Sequence, residues 1–406
     1  MLATLLQIRP VRAFTAWVLA LVTSAALGAA ADPAAAQTTR KLALSPAWGS
    51  AWLTKPAKPT PVSAPAKPTP VSAPAPSSGL KVGIVANTLG MGPSDQNAWQ
   101  AQIASTGVRW TREELTWASV EPTAGRLDWS RFDGMMINAA RNHLMVLPLL
   151  SAPPAWAGAG MPADPSGFAT FVSRVVARYG PGGTFWAAHP DIASYAPTWF
   201  EVWNEPWVAH FSGGSPDPAR YARLVKASVA AGRSANSSAR FLIDVDLTSC
   251  CGRRPSIEWI DSMYRAVPDL GSWFDAVAVH PYGSDAPDTY NPDDARWQFR
   301  RIELIRDKFV AHGDGAKHFW ITEIGWPTCA RNPGCVSESQ QATYLSRTFA
   351  LIAERYSSYV DAVFWYSWRD WSYADPADKE SAFGLIRPDT SRKPAYAALA
   401  AVAAKY

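Results

Sequence analysis

The sequence has few of the groups on which most catalytic machinery is built. It holds six histidines and four cysteines in 406 residues, and the histidines near the cysteines lack the spacing of zinc ligands. No Gly-Xaa-Ser-Xaa-Gly elbow, His-Glu-Xaa-Xaa-His helix or Walker loop occurs in it, which removes a serine-hydrolase nucleophile, a zincin site and a P-loop from consideration. No glycine-rich phosphate loop follows the first apolar run, which argues against an open dinucleotide-binding sheet. A basic excess is also missing where it would count. Of the 38 Lys and Arg and 34 Asp and Glu, residues 1–78 hold seven bases (Arg9, Arg12, Arg40, Lys41, Lys55, Lys58, Lys67) and one acid, Asp32. The rest of the chain therefore has 31 bases and 33 acids, a balance that does not recommend nucleic acid as a partner.

What is present begins with an export signal. Arg9 and Arg12 precede a charge-free apolar run from Ala13 to about Ala31, with small residues at Ala29-Ala30-Ala31 and Ala34-Ala35-Ala36. This predicts a signal peptide over residues 1–36 and a secreted or envelope-associated protein with no stable membrane insertion after cleavage. An uncleaved anchor is the alternative, since ~20 apolar residues span a bilayer. Residues 37–78 are rich in Pro, Ala, Ser, Thr and Lys and repeat a nonapeptide, Ala57–Pro65 and again Ala66–Pro74. Such a stretch reads as an extended linker.

Residues 79–406 then form one domain. Apolar runs near Val82–Ala86, Val108–Arg112, Met145–Leu149, Phe200–Asn204, Phe241–Val245, Ala276–His280, Phe319–Glu323 and Ala362–Tyr366 alternate with helix-like stretches. These include Ser130–Asn142, Pro165–Tyr179, Pro218–Ser234, Ala295–Val310, Ser339–Tyr356 and Lys393–Ala404. Eight strands alternating with helices predict an α/β fold, a single (β/α)8 TIM barrel. In such a barrel the chemistry sits at the C-terminal ends of the strands.

Two of those ends carry a glutamate. Phe200-Glu201-Val202-Trp203-Asn204-Glu205-Pro206 and Phe319-Trp320-Ile321-Thr322-Glu323 each close an apolar run on a carboxylate. Glycosidic cleavage with retention needs a proton donor and a carboxylate nucleophile about 5–5.5 Å apart, and a group hydrogen-bonded to the sugar 2-hydroxyl, here Asn204. The sequence Trp203-Asn204-Glu205-Pro206 followed by Ile321-Thr322-Glu323 resembles the retaining glycoside hydrolases of clan A, which include family 5 and family 39. That resemblance implies Glu205 as acid/base and Glu323 as nucleophile, with no metal or organic cofactor. The same chemistry calls for a raised pKa at Glu205 and a lowered one at Glu323.

The resemblance also implies the rest of a sugar site. Arg112, in Val108-Arg109-Trp110-Thr111-Arg112, matches an arginine that orients the nucleophile; a structural salt bridge to Glu113, Glu114 or Glu121 is the bland alternative. His280 and Tyr282, in His280-Pro281-Tyr282, match residues that bind sugar and hydrogen-bond the nucleophile. A tryptophan under the −1 sugar is implied at Trp368 or, on the opposite face, Trp365. Twenty tryptophans exceed what a core needs, and Trp207 beside Glu205 and Trp326 beside Glu323 are further candidate subsites. Asp244 and Asp246 end the fifth strand and either line the cleft or hold loop backbone. Four cysteines allow three pairings. Cys329–Cys335 is the first expectation, leaving Cys250–Cys251 vicinally bonded or free, and cross-links between the two loops compete with it.

The expected activity is hydrolysis of a β-linked polysaccharide or oligosaccharide by a monomer. A glycan-binding barrel and a transglycosylase are the alternatives. The binder would be marked by a lost glutamate, whereas both are present.

Overall fold

The computed structural model describes residues 79–246, 258–291, 298–371 and 377–406. The expected signal peptide and linker, Cys250 and Cys251 lie outside the described residues. Each run expected as a strand forms one: β1 Lys81–Val85, β2 Trp110–Thr116, β3 Met145–Ser151, β4 Trp199–Val202, β5 Arg240–Asp244, β6 Ala276–Val279, β7 His318–Ile324 and β8 Val360–Trp365. They pair in parallel in chain order, and β8 closes on β1 through Lys81↔Ala362 to Ile84↔Trp365. The result is a closed eight-stranded parallel barrel.

A helix follows each strand: α1 Pro93–Ser105, α2 Ser130–Arg141, α3 Ser166–Tyr179, α4 Pro218–Ala235, α5 Glu258–Ala266, α6 Ile302–Ala311, α7 Glu338–Leu351 and α8 Pro394–Lys405. Two of their starts are capped by a side chain. Asp217 accepts from the backbone N–H groups of Ala219 and Arg220 at the head of α4, and Ser337 forms a reciprocal capping box with Gln340 at the head of α7. Apolar helix faces and the outward faces of the strands make the main core, which takes in Phe168, Phe171 and Val175 of α3, Tyr221 and Val225 of α4 and Leu345 of α7. No helix among the described residues is long and apolar enough to cross a membrane.

A second apolar cluster fills the barrel: Val85, Leu147, Leu242, Ala276, Ala278, Trp320, Ala362 and Phe364. Large and small alternate there for a steric reason. Trp320 stacks on Phe364 with ring centroids 6.3 Å apart and meets Trp110 and Trp199 at 5.6 and 4.9 Å. Alanines on β6 and β8 leave room for it. Gly83 is required beside Phe364, because a Cβ on it would come within 2.4 Å of that ring. The barrel thus has an aromatic floor, and the site is built on top of it.

Candidate active site

Side chains two residues apart on a strand share a face. Two residues beyond the floor positions Trp110, Trp199, Trp320 and Phe364 stand Arg112, Glu201, Thr322 and Tyr366; two beyond Leu242 and Ala278 stand Asp244 and His280. The inward face of the barrel therefore changes from apolar to polar in one step, at the C-terminal ends of the strands.

The glutamates enter this layer through local departures from regular strand. After β4 the backbone takes the left-handed region at Trp203 (φ 69°) and Glu205 (φ 40°), where side-chain-bearing residues are uncommon. This turn sends the Trp203 ring outward against Phe168, at 5.2 Å. The Glu205 N–H donates to Asp244 Oδ2 at 2.7 Å. On β7 the register to β8 shifts between Ile321 and Ile324. Such a bulge re-aims side chains, and here the consecutive residues Thr322 and Glu323 both reach the site.

The distances describe one connected network. Arg112 donates from Nε and Nη2 to Glu201 Oε2 and Oε1 (2.6 and 3.1 Å), from Nη1 to Glu323 Oε1 (2.5 Å) and from Nη2 to Asn204 Oδ1 (2.9 Å). Tyr282 OH donates to Glu323 Oε2 at 2.6 Å. His280 lies 2.9 Å through Nδ1 from Glu205 Oε1 and 3.0 Å through Nε2 from Thr322 Oγ1, which donates onward to Glu201 Oε1 at 3.0 Å. A carboxylate oxygen of Glu205, a ring nitrogen of His280 and a carboxylate oxygen of Glu323 lie within 4.8 Å of one another. The side chain of Glu205 is 20 % exposed and that of Glu323 11 %, against 3 % or less for Arg112, Glu201 and His280. The two expected catalytic carboxylates are the ones open to a ligand.

Electrostatics assign the state of Glu323. Burial alone would raise Glu323, but the positive charges of His280 and Arg112 and hydrogen bonds from Tyr282 and Arg112 hold its carboxyl below the ordinary range. Burial would lower His280, but the facing carboxylates of Asp244, Glu323 and Glu205 push it up to about 10. It is thus an imidazolium at neutral pH, donating from both nitrogens. Arg112 is held above its usual value by Glu201 and Glu323 against the opposing effect of burial. Glu201–Asp244–His280 and Glu205–His280–Glu323 are also groupings of metal-ligand type. In each, the neutralising cations are already side chains, Arg112 on Glu201 and Glu323, and protonated His280.

Arg112 thus meets Glu323 and Glu201 instead of Glu113, Glu114 or Glu121. Glu113 points outward to Thr88, whose N–H and hydroxyl it accepts at 2.8 and 2.7 Å. The tryptophans expected to line subsites are differently placed. Trp365 alternates away from the barrel interior and stacks on Trp326 at 6.0 Å, both with no exposed area, in the core outside the barrel. Trp368 packs on Tyr396 of α8 and is 1 % exposed; Trp207 sits edge-on to His280 and is 3 % exposed. None of the four presents an open face to a sugar. Tyr366, which shares Phe364's face, does have exposed area, lies 6.0 Å edge-on to Tyr282, and feels Glu323 and Glu205. Sequence reading missed Tyr366, Glu201, Thr322 and the link from Asp244 to Glu205. The signal was period two counted from the apolar floor. Cys329–Cys335 is bonded, with Cα atoms 5.5 Å apart, in the loop after β7.

No protein-family model matches the sequence, and no curated protein does. Solved structures do match. A family 39 glycoside hydrolase from Bacteroides cellulosilyticus WH2 aligns with 22 % identity over 80 % of this chain and 63 % of that one, TM-score 0.58. A monomeric β-xylosidase from Caulobacter crescentus CB15 aligns with 17 % identity over 82 % and 68 %, TM-score 0.57. The fold is that of these glycoside hydrolases. A family 5, subfamily 18 glycoside hydrolase variant from Streptomyces cattleya, in complex with Manβ1-4GlcNAc, aligns with 16 % identity over 80 % of each chain, TM-score 0.58. This chain spans a little under two thirds of the first of them.

Proposed function

We propose that this protein is a retaining glycoside hydrolase acting on a β-linked oligosaccharide or polysaccharide outside the cytoplasm. One observation carries the reading: oxygens of Glu205 and Glu323 stand within 4.8 Å of each other and of a His280 nitrogen, at the open end of the barrel. That spacing suits direct attack on the anomeric carbon and leaves too little room for the intervening water of an inverting enzyme, whose carboxyl groups are about 6.5–9.5 Å apart.

In the first step Glu323, held ionised by Arg112, His280 and Tyr282, attacks the anomeric carbon while Glu205 transfers a proton to the leaving oxygen. The bond to the leaving group breaks and a glycosyl ester forms on Glu323. In the second step Glu205, now a carboxylate, takes a proton from water, which attacks the same carbon and expels Glu323. His280 Nδ1, 2.9 Å from Glu205 Oε1, fixes the orientation of that carboxyl group. Asn204, oriented by Arg112, is placed for the 2-hydroxyl, and the Tyr366 ring for the face of the −1 sugar. The fold shared with structures named as a β-xylosidase and as a complex with a β1-4-linked disaccharide supports the β-linkage. The export signal expected from residues 1–36 supports the location.

The test is hydrolysis of a panel of aryl β-glycosides and β-glycans by the purified protein, Glu205→Gln and Glu323→Gln, with the anomer first released followed by NMR. Cleavage with retention by the unaltered protein, and its loss by more than ~1000-fold in both variants, is expected from the share of the barrier these groups carry. An inverted product would overturn the mechanism. Equal glycan binding by all three proteins without turnover would instead identify a carbohydrate-binding barrel.

A further inference from the structure

The two side chains that touch the candidate carboxylates from β6 are carried by a tripeptide beyond the end of that strand. His280-Pro281-Tyr282 closes on itself, the Tyr282 N–H donating to the His280 carbonyl at 2.8 Å. That turn is gripped from the start of α6 by Arg301, 1 % exposed. Its Nη2 donates to the His280 carbonyl at 2.6 Å and its Nη1 to the Tyr282 carbonyl. Nε and Nη2 also donate to Asp246 Oδ1 and Oδ2 at 2.8 and 2.6 Å, and Nη1 to the Gln298 carbonyl at 3.3 Å. A guanidinium has five N–H groups in a fixed fork, and here all five have acceptors. Asp246 is itself 2 % exposed, so the pair is desolvated and rigid.

We infer that Arg301 and Asp246 are positioning residues for the acid pair: together they fix the backbone from which His280 reaches Glu205 and Tyr282 reaches Glu323. The inference rests on the glycosidase reading. Neither residue touches the candidate carboxylates. Arg301 holds the carbonyls of residues 280 and 282, whose side chains end 2.9 Å from Glu205 and 2.6 Å from Glu323. A small rotation of the tripeptide would move both contacts together. Ångström-scale misplacement of a catalytic group costs about 100-fold in rate, so an anchor of this kind acts on turnover far more than on substrate binding.

Arg301→Lys keeps the charge and cannot reproduce the fork; Asp246→Asn is the partner variant, which leaves the Arg301 contacts to the backbone carbonyls in place but replaces one of its two acceptor oxygens on residue 246 by an NH2 group. Both are compared with Tyr282→Phe and the Arg301→Lys/Tyr282→Phe double variant, after near-UV circular dichroism has established the folded fraction. On a substrate the unaltered protein cleaves, Arg301→Lys is expected to lose roughly 100-fold in kcat with KM held within about threefold, and Asp246→Asn about tenfold. The double variant should lose less than the product of the single losses, because Arg301 acts partly through Tyr282. A second readout does not depend on turnover. The ¹⁵N imidazole signals of His280, assigned by their absence in His280→Gln, should lose their slowly exchanging N–H character at pH 7 in Arg301→Lys, as the ring's bonds to Glu205 and Thr322 loosen while Asp244, Glu201 and Glu323 still face it. Unchanged His280 signals and unchanged kcat in folded Arg301→Lys or Asp246→Asn would overturn the inference, as would fully multiplicative losses in the double variant. Should the unaltered protein cleave nothing, the glycosidase reading fails, and the imidazole signals still decide whether Arg301 sets His280.

Discussion

Tyr282 shows how much of the candidate chemistry rests on one hydroxyl. Its OH gives Glu323 Oε2 a 2.6 Å hydrogen bond that favours the charged form of the carboxyl. A hydrogen bond to a charged group contributes about 1.5–3 kcal/mol. Tyr282→Phe keeps the ring edge-on to Tyr366 and Phe383 and removes only that bond. The pKa of Glu323 should therefore rise, and the acid limb of kcat/KM should move to higher pH, with kcat/KM at the optimum falling by about 10- to 100-fold. A pH–rate profile of the variant checks this; an acid limb that stays in place would mean that the bond does not hold Glu323 ionised. At this scale the sequence was legible where a polar residue interrupts an apolar run at its end, as at Glu205, Glu323 and His280. It was silent on Glu201, which lies inside such a run and whose partner Arg112 is 89 positions away. It also misdirected the search for the sugar platform, because an abundance of tryptophan says nothing about which way each ring points. Trp365 and Tyr366 are neighbours in the chain and on opposite sides of the strand.

Among the elements, the strands were readable nearly to their ends, because strands buried on both faces are apolar throughout. Helix α1 was not. It turns Gln96 and Gln100 inward beside Ile103, and Gln100 reaches toward Thr88, so it lacks the apolar stripe by which a helix is recognised. The closing element, α8, illustrates a second device that no periodicity reveals. Lys393, at its N-cap, is 2 % exposed, and its Nζ lies 2.6 Å from Asp370 Oδ2 and donates to Thr328 Oγ1 at 2.7 Å. Asp370 Oδ1 accepts from Gly384 N–H at 2.7 Å. The pair ties the helix to the loops after β7 and β8. Removing one partner of a buried pair leaves an uncompensated charge and costs about 3–5 kcal/mol, whereas replacing both by apolar groups is often neutral. Lys393→Met should therefore destabilise by that amount in urea unfolding, and Lys393→Met/Asp370→Leu should recover most of it. Equal loss in the single and double variants would mean that the cost of Lys393→Met does not come from a stranded Asp370 charge.

For the molecule as a whole, a barrel that buries several ionisable groups must have a stability that depends on pH, with a sign set by each group. Glu323 has a depressed pKa, so its contribution is present above the unfolded carboxylate value and is lost as pH falls through the folded one. His280 has a raised pKa, so its contribution is complete below the unfolded value of about 6.5 and is lost as pH rises through about 10. Glu113 differs from both. Burial pushes its carboxyl up to about 7 in spite of hydrogen bonds from Thr88 and Thr111. The folded state therefore keeps a proton that the unfolded chain gives up near the ordinary carboxylate value of about 4.3, and Glu113 costs stability progressively as pH rises from there to about 7. A glutamine is isosteric and cannot ionise, and the hydroxyls of Thr88 and Thr111 can turn to accept from its amide. Glu113→Gln should thus gain stability relative to the unaltered protein as pH rises from 4.5 to 8, by up to ~3 kcal/mol if the whole shift is expressed, and the gain should level off above pH 7. The measurement is the difference in urea midpoints of the two proteins across that range. A difference that stays flat, or that favours Glu113→Gln more at pH 4.5 than at pH 8, would show that Glu113 is ionised in the folded barrel at acid pH and that Thr88 and Thr111 outweigh its burial.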